Sequence, residues 1–413
     1  SQNIWVAHNG IIENYRELKE TLEQHGHIFY SETDTEVLGH LFEEEQAQMK
    51  CSFAEAVRLG LAKIKGTYGI VAINASDPTT LIAARNFSPL LFGIGNDEYI
   101  VASDASAVLA HTRHIVYLDD GEMAVLTQSG HSVMDLKNNI HHKQSEFIEW
   151  SLAQAQKQGY PHFMLKEIHE SPDAVENSLR GRLMPDEGCA KLGGLGEVLD
   201  DLRNAQRIVI SACGTAYLAG RVGEYMLEEY AGLPVDVDIA SEFRYRKPVF
   251  RRRDVMIGVS QSGETADTLA ALREAKEKGI LTLGIVNVVG STIARETDAG
   301  VYQHIGPEIG VASTKAFVSQ LTVFTLLTLL LGRQRDMSLV TGQRINAELL
   351  HISELMRQVL AEEAQIRALA EKYAGYKNFF FLGRKYNLPT ALEGALKLKE
   401  VSYVHAEGYS AGE

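Results

Sequence analysis

From residue 200 onward, short apolar runs alternate with helical segments: "RIVISA" and then a helix, "DVMIGVS" and then a helix, "LTLGIVN" and then "STIARE". Strands that alternate with helices are joined by crossovers, and crossovers make a parallel sheet with helices on both faces. No other feature of the 413 residues narrows the fold as much. In such a sheet, ligands sit beyond the carboxyl ends of the strands. The first two loops at those ends are "SACGTAYLAG", which carries Thr215, and "SQSGETADT", which carries Ser260, Gln261, Ser262 and Thr265. Helix N-termini present unpaired N–H groups, glycine lets an anion approach the backbone, and neutral hydroxyls complete its hydrogen bonds. A helix start needs one capping hydroxyl. Ser260, Ser262 and Thr265 together exceed that need, so the stretch reads as a cradle for a small phosphorylated ligand. Nucleotide signatures are missing: "GIGNDE" has no third glycine or following helix, and no GxxxxGK[ST] occurs.

Around this core the texture changes twice. Residues 1–140 carry "IWVAHNG", "GIVAIN", "TLIAAR", "LLFGIG", "YIVAS" and "GEMAVLT", strand-like runs separated by turns, with helical patterns near 12–25, 34–48 and 52–64. Residues 141–175 are polar and turn-rich and are expected to be a linker. The first doubly wound domain is expected over 176–338. Residues 339–413 are expected to hold connector helices and then a second strand–glycine–helix unit, "NFFFLGRKYNLPTALEGAL".

Composition excludes several functions. A net charge of −14 argues against nucleic acid as a partner. Three scattered cysteines make no disulfide framework and fit a reducing cytoplasm. The run "AFVSQLTVFTLLTLLLG" is apolar, but it is short and carries Ser319, Gln320, Thr322, Thr325 and Thr328. It reads as a buried core or subunit-interface helix and not a membrane span.

Two further clusters carry chemistry. In "LEGALKLKEVSYVHAEG", Glu393, Lys397 and Glu400 recur at i, i+4 and i+7, so one helical face bears acid, base and acid. On an isolated helix this would be a solvated stripe. Behind the apolar strand "FFFLG", a carboxylate held beside a lysine suits proton transfer at a sugar carbon. In "AHNGIIEN", Asn9 and Gly10 follow a strand-like run and offer an amide and a backbone N–H, the two donors of an oxyanion hole. Asp34 in "SETDTEV" offers a carboxylate for an ammonium group. An Asn-Gly turn and a helix cap explain these residues equally well, and spacing does not decide between the readings. "HTRH" and "HH" lack Cys, Asp or Glu at metal-site spacing and read as surface histidines. No metal or cofactor is called for.

In this order, "HNGIIENY", "SETDTEV", "CGTAY", "SQSGETADT", "GPEIGVASTKAF" and "LEGALKLKEVSYVHAE" closely resemble the glutamine:fructose-6-phosphate amidotransferase (glucosamine-6-phosphate synthase) family, over essentially the whole chain. The resemblance implies an α/β architecture: an N-terminal-nucleophile (αββα) glutaminase domain, here partial, followed by SIS (sugar isomerase) domains, the second incomplete. It implies that Asn9 and Gly10 form the glutaminase oxyanion hole and that Asp34 binds the glutamine α-amino group. Thr215, Ser260, Gln261, Ser262 and Thr265 would hold the sugar phosphate, with Val311 and Ser313 against the sugar. Glu400 would be the base that moves a proton between C1 and C2, assisted by Lys397. The implied partners are glutamine and fructose 6-phosphate or glucosamine 6-phosphate, in a cytoplasmic homodimer.

The sequence departs from the family's pattern at both ends. The family's nucleophile is an initial cysteine well before "HNG", whereas here Ser1 lies eight residues before Asn9 and no Cys precedes it. The family also has a His shortly after "SAGE" and a Schiff-base Lys in its tail, and this chain stops at Glu413. The expectation is therefore a fragment of a longer enzyme. Two other readings compete: a SIS-type sugar-phosphate isomerase or deglycase without glutaminase activity, and a non-catalytic sugar-phosphate sensor. The glutamine-pocket segments count against the first, and Glu400 and Lys397 on one helical face count against the second.

Overall fold

The computed structural model describes residues 3–148 and 156–412 and divides into two compact units, Ser1–Ala155 and Gln156–Glu413. Residues 149–155, part of the expected linker, lie outside the described residues.

The amino-terminal unit has strands β1 (Ile4–Ile12), β2 (Gly66–Asn74), β3 (Asp77–Asn86), β4 (Leu91–Ile94), β5 (Tyr99–Ala102) and β6 (His114–Tyr117). Then come β7 (Glu122–Thr127), β8 (Gly130–Asp135), β9 (Ile140–His141) and β10 (Glu146–Phe147). They form two antiparallel sheets, in the orders β1-β2-β3-β7-β8-β9 and β10-β6-β4-β5. Hydrophobic alternation with period two packs the sheets face to face: Ala83, Phe92, Val116, Ala124 and Leu126 lie between them. Helices α1 (Tyr15–Gln24), α2 (Thr35–Met49) and α3 (Phe53–Leu61) are the unit's α-helices among the described residues. Leu38 and Phe42 of α2 and Phe53 and Val57 of α3 pack with Ile12, Ile70 and Ile82 of the larger sheet. The layers are therefore helix, sheet, sheet, and among the described residues this unit holds no second α-helical layer.

The carboxy-terminal unit opens with α4 (Phe163–His169) and α5 (Ser171–Leu179), then the short strands β11 (Leu183–Met184) and β12 (Cys189–Ala190). The alternating segment follows in the order α6 (Leu199–Arg203), β13 (Arg207–Ala212), α7 (Gly214–Ala231), β14 (Val235–Ile239) and α8 (Ala240–Tyr245). It continues with β15 (Asp254–Ser260), α9 (Ala266–Glu277), β16 (Leu281–Val286), α10 (Thr292–Glu296), β17 (Ala299–Tyr302) and α11 (Lys315–Arg333). All five long strands are parallel, in the order β14-β13-β15-β16-β17. One sheet face packs on α7 and α11 through Ile208, Ile210, Ile257 and Leu283. The other packs on α8, α9 and α10 through Val209, Met256 and Val286. The chain thus leaves β13 toward one face and β15 toward the other. Between their carboxyl ends a crevice must open, the switch point at which such sheets take ligands.

Helix α11 is long and apolar enough to cross a membrane, but 78% of that stretch is buried inside the unit. Most of its apolar surface serves this unit's own core. After it come the connector helices α12 (Leu339–Leu349), α13 (Ile352–Ala361) and α14 (Glu363–Tyr373). The parallel unit β18 (Asn378–Gly383), α15 (Asn387–Ser402), β19 (His405–Ser410) follows. Helix α15 packs against α7, which brings its acid–base face to the head of the first sheet.

Candidate active site

A cavity of about 240 Å³ lies in the predicted crevice. It is lined by Thr215, Ser260, Gln261, Ser262, Thr265, Val311, Ser313 and Glu400, and also by Cys213, Ala216, Val259 and Gln320. All eight of these sequence-selected residues therefore meet in one place. A larger hollow of about 870 Å³, lined by Lys247, Arg251, Arg252, Arg253 and Lys278, lies beside Asp254 and Leu281, at the amino ends of β15 and β16. That is the wrong end of the sheet for the loops described above.

The loop after β15 is tied internally. Ser260 Oγ lies 2.8 Å from Thr265 Oγ1 and 3.5 Å from Ser262 Oγ. The N–H of Gly263 donates to Ser260 Oγ at 3.0 Å and that of Glu264 to Ser262 Oγ at 3.2 Å. Thr265 occupies the N-cap position of α9, yet its side chain makes no capping bond. Helix capping therefore does not account for its hydroxyl. Gly263 has φ +68°, and a Cβ there would come within 2.0 Å of Ser291 Oγ, so the tight return requires glycine.

The acid–base face of α15 reaches the other wall. Lys397 Nζ donates to Glu400 Oε2 at 2.6 Å and to Thr215 Oγ1 at 3.0 Å. Thr215 Oγ1 in turn donates to Glu393 Oε1 at 2.9 Å, and Lys397 Nζ lies 3.4 Å from the same carboxylate oxygen. Burial raises the Glu393 pKa, against the opposing pull of Lys397 and Thr215. Its Oε2 has no hydrogen-bond partner among the described residues. Cys213, at the N-cap position of α7, has a pKa raised chiefly by burial, so its thiol stays neutral and is a poor nucleophile.

The third wall is the segment 306–314. Glu167 of α4 is buried and accepts from the N–H groups of Ile309 (2.6 Å) and Gly310 (3.0 Å). Glu308 accepts from Ser313 Oγ (2.8 Å) and from the N–H groups of Thr314 (2.9 Å) and Ala316 (3.0 Å). The stretch 141–175, expected as linker, thus contributes a helix that pins the loop carrying Val311 and Ser313. Sequence reasoning gave no site role to Glu167, Cys213 or Gln320, and it set Glu393 on the acid–base face of α15 without a part of its own. Gln320 lies in α11 almost without exposure, and its Oε1 has no partner among the described residues. A glutamine among the apolar and hydroxyl side chains of this helix was its signal.

In the amino-terminal unit, Asn9 and Gly10 do not follow a strand. They lie within β1, opposite Gly69 and Tyr68 of β2, which overturns both that placement and the Asn-Gly turn. Gly10 has φ +138°, and a Cβ there would meet Thr67 O at 2.1 Å. Asp34 stands at the N-cap position of α2, but its side chain does not cap the helix. Instead Asp34 Oδ2 accepts the N–H of Ile12 at 2.7 Å, two residues past Gly10. His8 Nδ1 lies 3.0 Å from Thr35 Oγ1, and burial lowers the His8 pKa although the Asp34 charge opposes the shift. Asn9, Gly10 and Asp34 are therefore drawn toward one end of β1.

Comparison with known proteins agrees with this division. A glutamine amidotransferase domain matches residues 1–110, and a SIS domain matches residues 201–330. The glutamine–fructose-6-phosphate aminotransferase (isomerizing) of Chlorobaculum tepidum is 48% identical over 414 residues, spanning 100% of this chain and 67% of the relative. This chain belongs to that family. The Thermotoga maritima enzyme of the same name is 45% identical over 412 residues, with 100% and 67% covered. The solved C-terminal domain of glucosamine-fructose-6-phosphate aminotransferase from Francisella tularensis is 40% identical. It superposes with a TM-score of 0.60 over 62% of this chain and 72% of its own. The chain spans about two thirds of the length of the curated relatives named here.

Proposed function

We propose that the carboxy-terminal cavity binds fructose 6-phosphate and converts it, with ammonia drawn from glutamine, to glucosamine 6-phosphate. The observation that carries this reading is one cavity, at the switch point of a parallel sheet, lined by Ser260, Gln261, Ser262 and Thr265 together with Glu400, which Lys397 holds by a hydrogen bond. The hydroxyls and the start of α9 receive the phosphate, since donors at a helix N-terminus satisfy an anion without adding a cation. Thr215 adds a further hydroxyl, while Val311 and Ser313 stand against the sugar. Ammonia condenses with the C2 carbonyl and releases water. Glu400 then takes a proton from C1 and C2 receives one, leaving the aldose. Lys397 donates to Glu400 at 2.6 Å and so holds that carboxylate in place to act as the base.

In the amino-terminal unit the Asp34 carboxylate pairs with the α-ammonium of glutamine, and Asn9 and Gly10 donate to the oxyanion formed as the amide is cleaved. The domain ranges proposed are a glutaminase part at 1–140, a linker at 141–175, a first SIS domain at 176–338, and connectors with a second SIS domain over 339–413. The proposed assembly is a cytoplasmic homodimer that engages neither nucleic acid nor membrane.

Calorimetric titration with fructose 6-phosphate tests the cradle. Ser260→Ala with Thr265→Ala weakens binding by about 1.5–3 kcal/mol per lost bond to the charged phosphate. In an enzyme of the relatives' full length, Glu400→Gln keeps that affinity but slows proton exchange at C1 by roughly 10²–10⁴-fold, the usual worth of a general base. Unchanged affinity in the double variant, or undiminished exchange in Glu400→Gln, overturns the assignment.

A further inference from the structure

The glutamine half holds a second polar cluster that the proposed chemistry does not use. His27, in the segment between α1 and α2, faces His40 of α2 with their Nδ1 atoms 3.0 Å apart. A carboxylate oxygen of Glu43 lies 3.9 Å from His27 Nδ1, and one ligand atom from each of His27, His40 and Glu43 falls within a 4.8 Å span. Two zinc–nitrogen bonds opening at the tetrahedral angle hold their nitrogens about 3.3 Å apart, close to this spacing. Each ring's remaining nitrogen points at a carboxylate. His27 Nε2 is 3.0 Å from Glu44 Oε2, and His40 Nε2 is 3.6 Å from Glu36 Oε1. Metal-binding histidines take this same backing, because the outer carboxylate fixes the tautomer and strengthens the donor. His40 is buried, with Phe29 packed on its ring at 4.4 Å. The side chains of His27 and Glu43 retain 13% and 34% exposure, which leaves a path from solvent.

We propose that His27, His40 and Glu43 form a binding site for a divalent transition-metal ion, with zinc as its best occupant. Two imidazoles and one carboxylate match zinc's ligand preferences and leave a fourth position for water. The ion joins the segment that ends at Asp34 to α2 and so stiffens the approach to the glutamine-recognition residues. Glu36 already fastens the same segment, accepting from the N–H groups of Tyr30 (2.9 Å) and Ser31 (2.6 Å).

The test uses the 413-residue chain, stripped by chelator and titrated with zinc sulfate, magnesium chloride and cobalt chloride. Zinc is expected to bind one ion per chain, whereas magnesium, which prefers oxygen ligands, gives no heat. Cobalt is expected to show the intense visible bands of a four-coordinate ion without a thiolate charge-transfer band. His27→Ala and Glu43→Gln each weaken zinc binding at least tenfold. Glu44→Gln, which alters the carboxylate behind the His27 ring and also its contacts with His25 and Gln48, weakens it by about 10–100-fold. His141→Ala, at the separate contact with Glu122, leaves it unchanged. Chains that take up no zinc would mean the two imidazoles merely share an N–H···N hydrogen bond, and the proposal falls. It falls equally if a cobalt–thiolate band appears, or if zinc survives His27→Ala and Glu43→Gln but not His141→Ala.

Discussion

Glu393 combines burial, a lysine neighbour and a carboxylate oxygen without a partner among the described residues. Its pKa is raised because burial disfavours the ionised form more than Lys397 and Thr215 favour it. The folded protein therefore binds this proton more tightly than the unfolded chain does. The resulting stabilisation is fully present below the ordinary value of 4.5 and is lost as pH rises through the raised folded value. Glu393→Gln cannot titrate and carries no such dependence. Melting temperatures of the two proteins between pH 7 and pH 4 give the check. The difference, wild type minus variant, should grow in favour of wild type as pH falls. A difference that shrinks instead would mean that the Lys397 pairing outweighs burial.

Elements were most legible where their signal is local. The 3.6-residue spacing that set Glu393, Lys397 and Glu400 on one face of α15 needs no knowledge of the rest of the chain, and the alternation after residue 200 yielded the parallel sheet. What stayed hidden depends on distant pairing. Asn9-Gly10 has the local preference of a turn, yet pairing with β2 holds it in mid-strand. The polar stretch around Glu167 resembled a linker because the N–H groups it serves, at Ile309 and Gly310, lie 142 and 143 residues away. Helix α11 lies between these cases, since its apolar run was plain but the purpose of Gln320 was not. An unpartnered buried amide oxygen is destabilising by about 1–3 kcal/mol. Gln320→Leu removes it at similar volume, so the melting temperature should rise while affinity for fructose 6-phosphate falls. Thermal melts and calorimetry on one preparation read both. If the variant binds the sugar phosphate as tightly as wild type, Gln320 has only a packing role.

At the scale of the molecule, the two units are built around cores that share no residue. One is centred on Phe42, Ile70, Ile82 and Phe92, and the other on Ile210, Ile257, Phe324 and Leu327. A chain with two such cores need not unfold in one step. The two proposed binding chemistries fall on opposite sides of the same division, with Asn9, Gly10 and Asp34 in Ser1–Ala155 and the cavity proposed for the sugar phosphate in Gln156–Glu413. Differential scanning calorimetry should therefore resolve two transitions that respond to different perturbations. Gly10→Ala places a Cβ 2.1 Å from a backbone oxygen at φ +138°, which neither β1 nor β2 can absorb without moving. That substitution should lower only the transition of the amino-terminal unit and leave fructose 6-phosphate affinity unchanged. Saturating fructose 6-phosphate should raise only the other transition, because a ligand stabilises the folded unit that binds it. A hundredfold excess over the dissociation constant should raise that unit's stability by about 2.7 kcal/mol. A single transition that shifts with both the substitution and the sugar would show that the cores melt together, and the two chemistries could then not be altered independently.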